Sequence, residues 1–171
     1  MDFISSFLKS GNKLVIMVVV DKVPKYAHFC ALPHPFTSAL VAQSFTNQIF
    51  KLHGMPTSIV SDHDPIFASN FWQVLFQLQG TQLQLNTSYH HQTDGHTEAV
   101  NKCLETYLRC FTSEKQHLWV QWLPLVEWWY NTNYHATTKM TPYKAVYGQL
   151  PPSPTSYIKG CLKVQAVVQL R

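Results

Sequence analysis

Seven apolar residues stand in a row at positions 14–20, the Leu-Val-Ile-Met-Val-Val-Val that follows Lys13. The run is too short to cross a bilayer, which takes about 20 residues of helix. Its β-branched content and lack of alternation read as a buried strand. Positions 2–8 are a second strand candidate, with Lys9-Ser10-Gly11-Asn12 as the turn between the two. Beyond Pro24, positions 26–32 make a third, so the chain is predicted to open as an antiparallel meander.

The period then changes. Thr37 or Ser38 caps a helix whose apolar residues Leu40, Val41, Phe45, Ile49 and Phe50 recur at helical spacing, up to Gly54. A short strand at 57–61, a helix at 69–78 stopped by Gly80 and a strand at 81–85 follow. Strands alternating with helices imply parallel pairing, and the whole reads as a mixed α/β sheet. From about Thr93 the chain is helical, with Val100, Leu104, Tyr107, Leu108 and Phe111 as one apolar stripe. A further helix is predicted over 118–134, rich in tryptophan, with Pro124 as a kink or restart. Thr141-Pro142 opens a short helix that closes at Gly148. Pro151-Pro152-Ser153-Pro154 reads as a linker, and 151–171 as a linker and tail outside the core.

Bulk properties narrow the class. At 171 residues with 46% apolar and 13% aromatic side chains, one domain with a full core is expected. A net charge of +4 suits a polyanionic partner but is only weak support for one. The cysteines Cys30, Cys103, Cys110 and Cys161 form no C-x-x-C pair, which excludes a zinc framework or small disulfide scaffold and favours reduced thiols. The start carries Asp2 where a secretory signal would be basic, so a soluble intracellular protein is expected.

Three acids have informative addresses. Asp2 lies on the first strand, Asp62 at the end of the fourth, and Glu98 in the first turns of the long helix. Ligands of such sheets bind beyond the carboxyl ends of parallel strands, where position 62 falls. Each acid alone also reads as a turn former, a cap or a complement to the helix dipole. Together they suit phosphoryl transfer, in which two divalent ions about 4 Å apart make a nucleophile more acidic and stabilise the leaving oxygen. Hard Mg²⁺ takes oxygen ligands, so a few carboxylates suffice.

Thirty-five residues lie between Asp62 and Glu98. The segments Ser61-Asp62-His63-Asp64-Pro65-Ile66-Phe67 and Ser69-Asn70-Phe71-Trp72 resemble the second acidic motif of gypsy-type LTR-retrotransposon integrases. The stretch from Ser88 through His90-His91-Gln92-Thr93-Asp94-Gly95 to Glu98 resembles their third motif, and Met1-Asp2-Phe3-Ile4 the first. Tyr130-Asn131-Thr132, His135, Thr141-Pro142 and Tyr147-Gly148 continue the likeness downstream, so it covers nearly the whole chain in order.

The resemblance implies a ribonuclease-H-like fold: α/β, a five-stranded mixed sheet (antiparallel meander, then parallel strands) flanked by helices. It implies an integrase catalytic core over 1–150, truncated at its first strand, with 151–171 leading to a missing C-terminal region. The implied activity is DNA integration, by 3′-end processing of element DNA and then strand transfer into target DNA. Asp2, Asp62 and Glu98 would be the catalytic, metal-binding acids for two Mg²⁺ (or Mn²⁺) ions, Asp2 and Asp62 sharing one and Asp2 and Glu98 holding the other. The implied partners are DNA, as element ends and target, and further copies of the chain, with no membrane and no small-molecule substrate; the nucleus is the implied location. An inactive or domesticated remnant that binds nucleic acid or itself is the rival expectation.

Among the remaining polar residues, Lys102 follows Glu98 by four and so shares its helical face, suiting either phosphate or an ion pair with Glu98. His90 suits either a DNA contact or a structural role. Asp64 and Asp21 read as turn residues, Lys22, Lys25 and Arg109 as diffuse attraction only, and the tryptophans and Cys103 and Cys110 as packing.

Overall fold

The computed structural model describes residues 1–5, 7–61, 66, 69–78, 80–85, 91–112 and 115–152, with positions 71, 75, 78, 85 and 91–98 described by backbone course alone. The expected tail at 153–171 therefore lies outside the described residues. Strands β1 (Asp2–Ile4), β2 (Lys13–Val20) and β3 (Ala27–Pro33) pair antiparallel in the order β1-β2-β3. Strands β4 (Ser58–Ser61) and β5 (Gln82–Leu85) pair parallel as a two-stranded sheet. Among the described residues these are two sheets, rather than the single five-stranded one expected. The helices are α1 (Ser38–Phe45), α2 (Lys51–His53), α3 (Asn70–Leu78), α4 (His91–Thr112), α5 (Trp119–Thr132) and α6 (Pro142–Tyr147). A wider π-helical turn, Thr46–Phe50, joins α1 to α2.

The unbroken apolar run of β2 is explained by helices on both faces. Val15 and Met17 point into one cluster with Val41, Phe45, Trp72 and Phe76, from α1 and α3. Ile16 and Val18 point into the other with Val100, Leu104, Leu108, Leu123 and Val126, from α4 and α5. The expected stripe of α4 is this second contact. Trp119 is buried there, and its indole N–H donates to the Leu8 carbonyl at 2.6 Å, which tethers the β1–β2 connection to α5.

The outer edge of β3 is closed by side chains of α5. The Asn131 amide accepts from Ala27 N at 2.9 Å and donates to Ala27 O at 2.8 Å, doing for that residue what a neighbouring strand would do. One turn earlier Glu127 accepts from Phe29 N at 2.7 Å.

Helix α6 matches its expected bounds. Thr141 accepts from Lys144 N at 3.1 Å, Pro142 fills the first turn, and Gly148 ends the helix at φ 70, a left-handed conformation that favours glycine. Thr141→Ala is expected to cost about 1 kcal/mol, read as a lower urea midpoint at unchanged slope.

Candidate active site

Asp2 is held by its backbone and its side chain. Its backbone pairs with Val18, so the central strand of the meander fixes its position. Its Oδ1 accepts from Phe3 N at 2.8 Å, and its Oδ2 accepts from the side-chain amide of Asn101, on α4, at 2.5 Å. That contact follows from the packing of α4: Val100, one residue earlier, is buried against Ile4 and Val18. The second amide atom, Asn101 Oδ1, is buried and has no hydrogen-bond partner among the described residues. An unmet buried acceptor costs roughly 1–3 kcal/mol, so such an oxygen is a ready ligand for a water or a cation.

Position 98 lies on α4 one turn before Asn101, and residues three apart share a helix face. The Glu98 side chain is outside the described residues. Strand β4 ends at the buried Ser61, and Asp62, the next residue, is also outside them. The Met1 amine donates to Val60 O at 2.6 Å, so the start of β1 lies against the end of β4. The structure thus brings β1 to α4 and to the strand that precedes Asp62.

Lys102 is exposed on α4, and His90 lies outside the described residues. Among the described residues no group of three His, Cys, Asp or Glu side chains converges. The described donors, the Asp2 carboxylate and the orphan Asn101 oxygen, are hard oxygen ligands, which fit Mg²⁺ or Mn²⁺ better than a thiolate-preferring metal.

Asn101 escaped the sequence reading. Its signal was the spacing Glu98-x-x-Asn101, which places an amide on the face of α4 that carries the acid. Asp21 behaves as the expected turn residue, accepting from Val23 N at 3.0 Å. Cys103 is half-buried, and burial raises its thiol pKa. Beside it lies a cleft of about 390 Å³ between α4 and α5, lined among others by Lys25, Ala99, Cys103, Trp129 and Tyr134. No helix among the described residues is long and apolar enough to cross a membrane.

No family model matches the chain. It is 32% identical over 151 residues to the Transposon Tf2-3 polyprotein of Schizosaccharomyces pombe, and the match covers 88% of this chain and 11% of that polyprotein. The Tf2-4 polyprotein of the same organism matches at the same identity and coverage. The chain therefore spans 11% of the length of these relatives.

In structure it is similar to a chain of the simian T-cell lymphotropic virus intasome in complex with PP2A regulatory subunit B56 gamma. The TM-score is 0.73 at 22% identity, covering 91% of this chain and 57% of that one. The HTLV-2 integrase catalytic core domain in complex with magnesium, in its trimeric form, gives a TM-score of 0.67 at 17% identity, covering 84% and 93%. The catalytic core domain of BIV integrase gives 0.63 at 17% identity, covering 84% and 91%. The chain therefore has an α/β fold resembling retroviral integrase catalytic cores, and it resembles gypsy-type retrotransposon integrase in a sequence akin to a segment of the Tf2 polyproteins.

Proposed function

We propose that this chain is the catalytic core of a retrotransposon integrase, a metal-dependent polynucleotidyl transferase that trims the 3′ ends of element DNA and joins them to target DNA. The observation that carries this reading is the hydrogen bond from Asn101 to Asp2, one helical turn from position 98. The Met1–Val60 contact, two residues ahead of position 62, supports it. In this reading Asp2, Asp62 and Glu98 hold two Mg²⁺ ions, Asp2 being common to both, and Mn²⁺ can substitute. Bound there, the ions supply acidification of the attacking hydroxyl or water and charge stabilisation for the leaving oxygen.

The chain's own residues do the rest. Three gathered carboxylates repel one another, so their order depends on a bound cation. Asn101 and Phe3 N–H each hold one oxygen of Asp2 and so fix the plane of its carboxylate. In each step an oxygen nucleophile attacks phosphorus as the P–O bond on the opposite side breaks, and the departing 3′ oxygen takes up a proton. No covalent enzyme intermediate is needed.

The same reading makes β3-β2-β1-β4-β5 one mixed sheet, with β1 beside β4, and residues 1–150 the core, with 151–171 a linker and tail. It assigns Lys102 and His90 to DNA phosphates, takes element ends and target DNA as substrates, and has the chain act as a homo-oligomer in the nucleus. The exposed position of Lys102 on α4 supports its contact with phosphate.

The test is strand transfer or disintegration on synthetic DNA with Mn²⁺, comparing the chain with its Glu98→Gln variant. Activity that survives the substitution overturns the metal assignment, and DNA binding without turnover in either protein overturns the transferase. Asn101→Ala is expected to lower activity about 10–100-fold and raise the Mn²⁺ concentration needed for half-maximal rate, because it frees Asp2 to rotate.

A further inference from the structure

On the α1 side of the sheet, at the edge of β3, two imidazoles face each other. His28 is buried, and its Nε2 lies 2.9 Å from Nε2 of His53, the exposed last residue of α2. The other ring nitrogen of His28, Nδ1, is 3.1 Å from Glu127 Oε1, while Glu127 Oε2 is fixed by Phe29 N. A carboxylate accepts but does not donate, so the proton of a neutral His28 sits on Nδ1. The lone pair of its Nε2 is thereby aimed at His53. Tyr26 packs on both rings, with centroids 5.2 Å from His28 and 5.7 Å from His53.

An imidazole whose far nitrogen is anchored to a carboxylate is the usual form of a metal-ligating histidine, because the anchor fixes both tautomer and ring plane. We infer that His28 and His53 form a two-imidazole site for a borderline transition-metal dication, with Zn²⁺ as the leading case and water completing the coordination. At Zn–N lengths near 2.0–2.1 Å, tetrahedral geometry sets the two nitrogens roughly 3.3 Å apart. The rings need only part by a few tenths of an ångström.

His53 can make that shift. It is exposed and sits immediately before Gly54, whose φ is 74, whereas His28 is held on the strand. Burial, and then the neighbouring His28, lower the pKa of His53, while Asp21 acts in the opposite direction. In the metal-free pair His53 Nε2–H donates to His28 Nε2, so a metal would displace that proton, and Asp21 supplies negative potential for a dication.

This site is independent of the acids. Asp2 pairs with Val18 and Val18 with Phe29, so His28 lies next to a residue two strands away from Asp2, about 10 Å by strand spacing. Imidazole donors favour Zn²⁺ over Mg²⁺, so excess Mg²⁺ leaves the site unblocked.

The test is calorimetric titration of the chelator-stripped chain with Zn²⁺ in saturating Mg²⁺, comparing wild type, His53→Ala and Asp2→Asn. Other histidines and cysteines also take up zinc weakly, so the difference between the proteins is the readout. His53→Ala is expected to weaken the tightest binding step at least about tenfold, with Asp2→Asn unchanged. Because His53 is exposed, its loss leaves the fold intact, which a circular dichroism melt checks. Equal affinity in wild type and His53→Ala overturns the site, and so does loss of the tight step in Asp2→Asn. Neither result bears on strand transfer.

Discussion

Glu98→Gln is expected to reduce Mn²⁺-dependent strand transfer about a thousandfold or more, with the melting temperature unchanged or slightly raised. Glutamine keeps the shape and one carbonyl oxygen but removes the charge that holds a divalent ion. A thousandfold loss corresponds to about 4 kcal/mol of transition-state stabilisation, the scale on which a metal's charge acts on phosphoryl transfer. The absence of destabilisation follows from the same electrostatics, because removing one of three like charges relieves repulsion in the metal-free protein. Disintegration rates on a branched substrate, paired with thermal melts, separate the two effects. A thousandfold loss accompanied by a large drop in melting temperature would show that position 98 carries the fold and not the chemistry.

The largest stability effect of a single polar substitution is expected at Asn131. Its side chain is 1% exposed and meets both the N–H and the C=O of Ala27. Alanine strands both backbone groups in a buried position, and at roughly 1–3 kcal/mol for each unmet group the loss comes to about 2–6 kcal/mol. Asn131→Asp keeps an acceptor for the Ala27 N–H but loses the donor for its carbonyl, so it is also destabilising. Asn133→Ala is the control: it removes a hydrogen bond from an exposed amide to Trp129 O and should cost well under about 1 kcal/mol. Urea unfolding of the three variants orders them, and Asn131→Ala no less stable than Asn133→Ala would contradict the role assigned to the buried amide.

These two residues differ in how far the sequence announces them. Glu98 belongs to a motif whose residue types and order are visible in one dimension. Asn131 sits in a segment with a family likeness, but which strand it would close is a matter of three-dimensional packing. Asn101 is intermediate. Its place on the face of α4 that carries Glu98 is plain from the spacing, whereas its contact with Asp2 depends on how α4 crosses β1.

Where packing and local preference agreed, elements were legible to the residue. The β-branched run became β2 over Lys13–Val20, and the Thr141, Pro142 and Gly148 signals became α6 with the expected cap at each end. Where they disagreed, packing prevailed. Pro124 was expected as a kink or a restart; no restart occurs, since α5 runs through it from Trp119 to Thr132. Buried Leu123 and Val126 on either side anchor that turn in the core, and their burial offsets the backbone bond that proline cannot make. Strand pairing in β1 stops at Ile4, short of the expected 2–8, while Phe7 packs at a tilt against Trp119, ring centroids 5.5 Å apart. For the fifth-strand question, the alternation of strands and helices predicted parallel pairing correctly for β4 and β5, but it carried no information on how that pair joins the meander.

Occupation of the β3 margin by Asn131 and Glu127 has a bearing on solution behaviour. An open margin of backbone donors and acceptors is a template onto which a stray polypeptide segment can zip, the first step towards fibrils. With a carboxamide and a carboxylate already bonded to positions 27 and 29, an intruding segment would have to evict both to pair with this end of the strand.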